Sequence, residues 1–234
     1  MTSGMNLGDY AKRTQFYTED VPQLLSNYLD RVHWNSCLDL GCGDGSLLYA
    51  LDKKGYLAGK TVYAVDMSES RLELVRHINE DIVCLRRDAC ETQIQDGSID
   101  FLISTQLIEH VPNDTEMVKE IQRILSSNGT VYLSTVFKKW YGWYFYRCNG
   151  KWTLDPTHLR EYTHDDQLLG IFRDHGFEVL ENEKTLDGRP ILDSIMRRIG
   201  AGRKVYNNRL LKMLRAVSIP IPGYYIWEIV CAKR

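Results

Sequence analysis

The chain has 234 residues, of which 44% are hydrophobic and 26% are charged, and its formal net charge at pH 7 is −2. This composition is that of an ordinary globular protein, which excludes disordered and collagen-like classes, and the length suits one domain. No apolar run reaches the roughly 18 residues of a membrane-spanning helix. The six cysteines form neither a C-x-x-C pair nor a zinc-type spacing, and no secretory signal precedes them, so we expect reduced thiols in a cytoplasmic protein.

The near-neutral net charge conceals an asymmetry along the chain. Residues 1–136 carry 12 basic and 20 acidic side chains, a net charge of −8, whereas residues 137–234 carry 17 and 11, a net charge of +6. A basic C-terminal part favours an anionic partner or surface, although scattered solvated lysines and arginines explain it equally well.

Short apolar runs alternate with amphipathic stretches in the first part of the chain. Helical spacing of apolar residues predicts helices from about Val21 to Val32 and after the capping residues Ser68 and Asp114. Apolar runs bounded by turn residues predict five buried strands: Ser36–Leu40, Thr61–Val65, Ile82–Leu85, Ile99–Ser104 and Thr130–Val136. This alternation predicts an α/β fold with a parallel sheet covered on both faces.

After residue 136 the rhythm changes. The pattern predicts, in order, an aromatic segment, a helix from about Asp165 to His175 begun by a Thr163–Asp166 capping box, a strand over Phe177–Leu180, a basic stretch over 191–215 and a last strand over Tyr224–Ala232.

The most informative stretch is residues 38–46, which read LDLGCGDGS. A predicted strand ends there, three glycines alternate, and a predicted helix begins. Glycines let the backbone turn sharply and approach a ligand, and a helix start offers N–H groups and a positive dipole end to an anion such as a carboxylate. Such a turn, taken alone, can also be purely structural.

Acidic residues follow the next two predicted strands. Asp66 lies 23 residues beyond Gly43, where a carboxylate can accept both hydroxyls of a ribose, and Asp88 could accept the amino group of an adenine. The carboxyl ends of neighbouring parallel strands form the ligand-binding edge of an open α/β sheet. The sequence therefore predicts a nucleoside-containing ligand at this edge.

The turn is consistent with two classes of nucleoside cofactor. A nicotinamide-dependent dehydrogenase requires G-x-G-x-x-G, but the chain offers G-x-G-x-G followed by Ser46. Asp39, two residues before Gly41, would repel a pyrophosphate but suits a ligand with an ammonium group. S-adenosylmethionine carries an ammonium, a carboxylate, a sulfonium and an adenosine, so the pocket favours this cofactor, with NAD and an oxidoreductase as the alternative.

These motifs, taken in order, resemble those of class I S-adenosylmethionine-dependent methyltransferases, in the ubiquinone or small-molecule O-methyltransferase-like "methyltransferase type 11" group. The matching segments cover residues 36–136: 39–45, 62–68, 87–89, 99–111 and 124–134. The resemblance implies a Rossmann-like, doubly wound seven-stranded sheet that is mostly parallel with an antiparallel last strand.

The resemblance also implies where the cofactor lies. Glycines 41 and 43 would lie near the methionine moiety, Asp66 on the ribose and Met67 against the adenine face. Asp88 and Ala89 would lie at the adenine edge, and Gln106 near the methionine ammonium. The predicted cofactor-binding residues are therefore Asp39, Gly41, Cys42, Gly43, Asp66, Met67, Asp88, Ala89 and Gln106.

A hydroxyl acceptor needs a base to remove its proton. The family's fourth motif places Glu109 and His110 beside the transferable methyl, and His158 lies in the later segment DPTHLREYT, residues 155–163. We therefore predict Glu109, His110 and His158 as the catalytic residues. The alternative is that both histidines only hydrogen-bond the backbone around the pocket.

A second resemblance bears on metal binding. Ubiquinone-pathway O-methyltransferases and small-RNA 2′-O-methyltransferases carry E-x-x-E-H, which with a later histidine can hold a divalent metal. Here residues 106–110 read QLIEH, so Gln106 stands where the first carboxylate belongs. We predict no metal, although two histidines, a glutamate and an amide could still bind one weakly.

Aromatic and basic residues mark the second half. Residues 138–152, KKWYGWYFYRCNGKW, contain seven aromatic residues and four cations with no acid, which suits stacking on a ring, a sugar or a base, or contact with a lipid interface. An irregular helix at the sheet edge is the alternative. Residues 191–219 suit basic amphipathic helices, on an anionic membrane, around a phosphate-bearing substrate, or merely solvated.

Together these patterns predict a single methyltransferase domain over residues 1–234. Its parts are an N-terminal helical cap (1–35), a cofactor-binding core (36–136), an acceptor lid (137–164), and a C-terminal helix and strands (165–234) with a basic helical insertion at 190–219. The predicted reaction is O-methylation of a small, glycan-linked or lipid-linked acceptor, with peripheral contact to an anionic membrane. The alternatives are an RNA methyltransferase, which a sequence pI of about 6.3 disfavours, and a non-catalytic cofactor-binding module.

Overall fold

A computed structural model describes residues 17–148, 150–190 and 218–234. Within these ranges the helices are α1 (Gln23–Leu29), α2 (Ser46–Lys53), α3 (Glu69–Arg76), α4 (Asp114–Ile124) and α5 (Asp166–Asp174). The strands are β1 (Ser36–Leu40), β2 (Thr61–Asp66), β3 (Val83–Arg86), β4 (Ile99–Thr105), β5 (Leu125–Lys138), β6 (Tyr146–Cys148), β7 (Lys151–Thr153), β8 (Phe177–Pro190) and β9 (Ser218–Lys233).

Seven strands form one sheet in the order β3-β2-β1-β4-β5-β9-β8. The strands from β3 to β5 pair in parallel, and only β9 runs antiparallel to its two neighbours, β5 and β8. This confirms the predicted α/β fold with an antiparallel last strand. Because β1 to β4 are parallel, the segments that follow them meet at one edge of the sheet.

Helices cover both faces of the sheet, as predicted. On one face, α4 and α5 bury apolar side chains such as Ile121 and Leu168 in one cluster. On the other face, α1, α2 and α3 bury Leu25, Leu48 and Leu72 in a second cluster. Successive strand residues alternate between the two clusters because side chains along a strand point to opposite faces.

The strands at the antiparallel end are longer than the apolar pattern predicts. β5 begins at Leu125 rather than Thr130, and β8 continues to Pro190 rather than ending at Leu180. The extra residues pair across the sheet, for example Lys138 with Tyr224. Backbone pairing with a neighbour, which leaves no mark on hydrophobic periodicity, therefore sets these ends. The predicted insertion at 190–219 falls mostly on residues 191–217, which lie outside the described residues.

Two of the three predicted helix starts are wrong in detail. Ser68 is the N-cap of α3 as predicted, but α4 is capped by Asn113, whose side-chain oxygen accepts from the N–H of Glu116, and not by Asp114. The predicted Thr163–Asp166 capping box does not form. Instead, the Gln167 side chain accepts from the Thr163 N–H at 2.7 Å. In both cases the side-chain amide oxygen of a neighbouring residue accepts the backbone hydrogen bond that we had assigned to a hydroxyl or a carboxylate.

The aromatic segment forms strands. β6 and β7 pair as a two-stranded antiparallel sheet, so the alternative of an irregular helix at the sheet edge is wrong. None of the helices in the described part of the chain has the length and apolar character needed to cross a bilayer.

Trp227 of β9 is the largest fully buried side chain, and it tests the packing of the antiparallel end. Its ring lies 5.4 Å from that of Phe137, and its Nε1–H donates to the Asn182 Oδ1 at 2.6 Å. We expect Trp227→Ala to lower the free energy of unfolding in urea by about 3–5 kcal/mol because a large cavity opens. Ile226→Ala, at a neighbouring position that is 38% exposed, is the control and should cost less than about 1 kcal/mol. Equal losses in the two variants would contradict this packing.

Candidate active site

The glycine turn after β1 needs glycine for two separate reasons. Gly41, Gly43 and Gly45 all have positive φ, at 77°, 56° and 79°. A Cβ at Gly41 would lie 2.6 Å from the Leu107 side chain, so this turn packs directly against the segment after β4. At Gly43 a Cβ would meet only the Arg71 guanidinium, at 3.8 Å. The space above Gly43 is therefore a cradle that a side chain would fill and a ligand can enter.

The N–H groups of the turn are largely used within the protein. The N–H groups of Gly41 and Cys42 donate to the carbonyl of Val65, at 2.8 and 3.0 Å, and that of Gly43 donates to the Asp66 carboxylate at 3.0 Å. These three bonds fix β1 against β2, so the expectation that N–H groups face an anion rests on the start of α2. A carboxylate lies just before the turn.

That carboxylate belongs to Asp39, a β1 residue whose side chain is buried. Its Oδ1 has no hydrogen-bond partner in the described part of the chain. Burial, together with the nearby Asp66 and Asp44, raises the pKa of Asp39 to about 7. A buried carboxyl oxygen without a donor is costly, and a ligand ammonium would supply the missing donor.

Asp66 ends β2 and is already held in place. Its Oδ1 accepts from the Ser68 N–H at 2.8 Å, its Oδ2 accepts from Gly43, and the Arg71 guanidinium lies 3.9 Å away. A carboxylate has about four acceptor sites, so two remain that could face a diol. The next residue, Met67, exposes 68% of its surface and could cover a flat ring.

The other predicted cofactor residues lie at the same edge with different exposure. Asp88 is exposed after β3 and accepts from the Cys90 N–H at 2.8 Å, whereas the side chain of Ala89 packs into the core. Gln106 is exposed after β4 with a φ of 51°, and its N–H donates to the Ser134 carbonyl. Cys42 is buried, with its sulfur 3.6 Å from the Gly43 carbonyl.

The structure brings Glu109, His110 and His158 together although the last is 48 residues from its nearest partner in sequence. Their potential ligand atoms all lie within 4.8 Å of one another, and the two imidazole rings meet edge to face at 4.8 Å. The N–H groups of Leu159 and Arg160 donate to the Glu109 carbonyl, which holds the His158 loop against the segment after β4.

Glu109 is fully buried. Its Oε2 accepts from the Thr135 hydroxyl at 2.8 Å, and no described group donates to its Oε1. Burial raises the pKa of Glu109, although its own N–H and Thr135 oppose the shift. Burial therefore favours the protonated form of Glu109 more than in an exposed glutamate.

The Nδ1 atom of each histidine has an oxygen partner. The His158 Nδ1 lies 3.2 Å from the Glu161 carboxylate, so it carries the proton and donates. His110 Nδ1 lies 3.3 Å from the carbonyl of Thr157 and donates to it by the same logic. Burial, and then the neighbouring His158, lower the pKa of His110, which keeps its ring neutral at pH 7.

Glu161 is the partner that the sequence did not assign. Although burial opposes ionisation, hydrogen bonds from His158, Leu154 and Thr153 lower the pKa of Glu161 to about 2. Lys138 adds an ion pair at 3.3 Å. The segment 155–163 contains Glu161, but only the fold shows that its carboxylate faces back onto His158.

Arg160 and Thr135 were also missed. The Arg160 guanidinium donates to three carbonyls of the segment around Glu109, those of Ile108, Val111 and Pro112. It therefore fixes the loop after β4. A partly buried arginine has no period or spacing that would identify its carbonyl partners in advance.

The N-terminal cap predicted for residues 1–35 reaches the glycine turn within the described residues. The hydroxyl of Tyr17 donates to the Asp44 carbonyl at 3.0 Å, and its ring stacks on Tyr49 at 5.1 Å. Residues 1–16 lie outside the described residues.

A carboxylate at the end of β1, a glycine cradle and an acidic end to β2 define an α/β protein that binds a nucleoside cofactor with a cationic tail. Residues 38–133 match the family model of the methyltransferase domain. Over these residues the chain is thus similar to methyltransferase domains, and S-adenosylmethionine is its cofactor. This confirms the resemblance and replaces the nicotinamide alternative.

Relatives with assigned names support the same family. A protein of Pseudomonas paraeruginosa (strain DSM 24068 / PA7), named ubiquinone biosynthesis O-methyltransferase, is 27% identical over 173 residues, which cover 68% of this chain and 73% of the relative. A protein of Mycobacterium tuberculosis (strain ATCC 25618 / H37Rv), named a probable S-adenosylmethionine-dependent methyltransferase, is 29% identical over 141 residues, covering 60% of this chain and 47% of the relative.

Solved structures share the fold at low identity. A methyltransferase of Methanosarcina mazei superposes with a TM-score of 0.62 at 16% identity, covering 92% of this chain and 98% of the other. The phosphoethanolamine N-methyltransferase 2 of Haemonchus contortus, in complex with S-adenosyl-L-methionine, gives 0.59 at 18%, covering 89% and 51%. The [4+2]-cyclase SpnF gives 0.64 at 17%, covering 90% and 80%. A cyclase among them means that the fold does not fix the reaction.

Proton release on cofactor binding tests the fit of Asp39. At pH 6 a carboxyl with a pKa of about 7 is mostly protonated, and a ligand ammonium favours its ionised form. We expect binding of S-adenosylhomocysteine to release close to one proton at pH 6, and affinity to rise as the pH increases through 7. Calorimetry in two buffers of different ionisation enthalpy measures the release. Asp39→Asn should abolish it, and an unchanged release in that variant would contradict the assignment.

Proposed function

We propose that the protein transfers the methyl group of S-adenosylmethionine to a hydroxyl oxygen of a small acceptor, which is free or linked to a glycan or a lipid. The observation that carries this proposal is the pair of histidines beside the cofactor turn, His158 backed by an ionised carboxylate and His110 kept neutral. Oxygen acceptors need a proton acceptor in this position. The name of the Pseudomonas relative, an O-methyltransferase, supports the same reaction.

The cofactor-binding roles follow from the geometry of the β1 and β2 ends. The unpartnered oxygen of Asp39 would receive the ammonium together with Gln106, and the cradle at Gly43, with Gly41 and Cys42 beside it, would hold the methionine chain. Further along the edge, the remaining acceptor sites of Asp66 would hold the ribose diol. The adenine would lie against Met67, with Asp88 and the backbone of Ala89 at its edge.

Bound S-adenosylmethionine supplies an electrophilic methyl group on a sulfonium sulfur. The protein's task is to align a hydroxyl with that carbon and to remove its proton. The Nε2 of His158 or His110 would accept the proton that the acceptor hydroxyl loses. The carboxylate of Glu161 would stabilise the resulting charge on His158.

His158 and His110 are partly exposed, whereas Glu109 is fully buried, so the histidines are the accessible bases. The side chain of Glu109 is buried with a raised pKa, and the fixed hydroxyl of Thr135 occupies its second oxygen. Its carboxyl group instead lines the space that both imidazole rings face. We therefore assign Glu109 to positioning the acceptor hydroxyl and the histidines to accepting its proton. Residues 137–164, which contain both His158 and the aromatic strands, would form the acceptor side of the site.

A second use of the same cluster is metal binding. Two imidazoles and one carboxylate within 4.8 Å form a three-ligand set with room for a further ligand. A divalent ion there would bind the acceptor oxygen and lower its pKa, so that no histidine would act as a base.

Removal of the ribose acceptor tests the cofactor half. In Asp66→Ala we expect a loss of about 1.5–3 kcal/mol in binding of S-adenosylhomocysteine, the worth of hydrogen bonds to a charged group, which is roughly 10- to 150-fold in Kd by calorimetry. Asp174→Ala, at an exposed position on α5, is the matched control and should bind like the parent. A parent-like Kd in Asp66→Ala would remove this residue from the site.

Removal of the imidazoles tests the acceptor half. We expect His158→Gln and His110→Gln to lower kcat by roughly 10²- to 10⁴-fold, the usual contribution of a general base, with the Kd for S-adenosylhomocysteine unchanged. His164→Gln changes an exposed histidine and serves as the control. Parent-like turnover in both variants would exclude a histidine base.

Chelation distinguishes the two uses of the cluster. Full turnover after exhaustive chelation supports the histidine base and excludes a metal. Loss of turnover that a divalent ion restores supports the metal and overturns the base.

A further inference from the structure

The segment between the sheet and the His158 loop exposes an unusual amount of aromatic surface. We call residues 139–152 the aromatic hairpin. Trp140 exposes 92% of its surface and Phe145 74%, and three further rings are also exposed: Tyr141, Trp143 and Tyr146. Soluble surfaces rarely carry large contiguous apolar patches without a partner.

The exposed rings contact one another. Phe145 lies between Trp143, at 5.1 Å, and Tyr144, at 5.2 Å, and Tyr144 in turn meets Tyr146 at 5.8 Å. Trp140 meets Tyr141 edge to face at 5.4 Å. The rings therefore form two groups, Trp140 with Tyr141 and the four rings of residues 143–146, rather than a set of scattered side chains.

The start of the hairpin is fixed to the sheet. The N–H of Lys139 donates to the Gly223 carbonyl at 2.8 Å, and the N–H of Trp143 donates to that of Pro222. A Cβ at Gly223 would lie 2.6 Å from the Cα of Gly142, so the backbones of these two segments are in direct contact. The rings are thus presented by a held backbone, which lowers the entropic cost of binding a partner.

The charge of the hairpin identifies the partner. Residues 138–152 hold four cations and no acid. Lys138 is buried against Glu161, but Lys139 and Lys151 are exposed at the two ends of the hairpin. Tryptophan and tyrosine rings favour the headgroup region of a bilayer, and lysines beside them favour anionic lipids.

Both ends of the hairpin meet at the carboxylate that orients His158. Lys138 precedes the hairpin and contacts Glu161 at 3.3 Å, and Thr153 and Leu154 follow it and donate to Glu161 at 2.8 and 2.7 Å. The His158 Nδ1 contacts the same carboxylate. A surface bound by the hairpin would therefore lie directly beside the candidate acceptor site.

We propose that the aromatic hairpin docks on an anionic phospholipid bilayer by inserting Trp140 and Phe145 at the headgroup level, so that the site receives its acceptor from the membrane. The docking stands on the hairpin alone. Only the delivery of the acceptor rests on the methyl transfer proposed above.

Vesicle binding tests the docking. We expect the full chain to co-sediment with vesicles of phosphatidylcholine and phosphatidylglycerol, more strongly than with phosphatidylcholine alone and less as salt increases. Trp140→Ala and Phe145→Ala should each weaken binding roughly tenfold or more, because each removes a side chain that would be buried in the interface. Leu180→Ala, on the exposed part of β8, is the matched control and should bind like the parent.

Tryptophan fluorescence locates the inserted ring. Brominated phospholipids should quench the parent, and Trp140→Phe should keep vesicle binding while losing much of the quenching. Parent-like vesicle binding by both alanine variants would overturn the proposal, as would equal binding to uncharged vesicles. Sedimentation showing that the hairpin mediates self-association, with no vesicle binding, would overturn it in favour of a second copy of the chain.

The design separates this proposal from the proposed function. The Kd for S-adenosylhomocysteine should be unchanged in both alanine variants, which shows that they fold. If vesicle binding fails while the parent methylates a soluble hydroxyl compound, the docking is wrong and the methyl transfer stands. If vesicles bind but no hydroxyl is methylated, the docking stands and the proposed methyl transfer is wrong.

Discussion

The largely buried carboxylate of Glu161 joins the His158 loop to two strands of the main sheet, β5 and β9. It accepts from Thr153 and Leu154, pairs with Lys138 at the end of β5, and contacts the His158 ring. The hydroxyl of Tyr224 on β9 adds a contact at 3.3 Å. An ionised group this far from water is tolerated only because so many donors face it. The same donors fix the position of the carboxylate, and the carboxylate fixes the tautomer of His158, so the acceptor side of the site depends on this one group.

The cofactor half of the site could be predicted because its parts are local in sequence. A glycine turn must follow β1 directly, and Asp66 must end the adjacent strand, so chain order and strand spacing suffice to bring them together. Even there the sequence does not show how the turn is held. The N–H groups of Gly41 and Cys42 bond to Val65, a contact across two strands that composition cannot reveal.

The acceptor half could be predicted only as a set of residue types. Glu109, His110 and His158 were identified from a motif and a segment, but most of the contacts that hold them are tertiary. Thr135 reaches Glu109 from β5, and Arg160 reaches three carbonyls of another loop. The same limit applies to the fold, where hydrophobic periodicity located every strand of the main sheet but not the ends of β5 and β8. Those ends depend on backbone pairing between neighbours, which no single strand encodes.

The charge around the histidines bears on which of their two uses the site favours. Gln106 contributes an amide where a metal-binding relative of this motif has a carboxylate, and burial favours the neutral form of Glu109. The nearby carboxylate of Glu161, whose pKa is lowered to about 2, is saturated by its own donors and faces the Nδ1 of His158. A divalent cation binds best where several carboxylates remain to neutralise it. Proton transfer to a base needs only a neutral imidazole whose other nitrogen donates to a carboxylate. The distribution of charge in this cluster therefore favours proton transfer over metal binding.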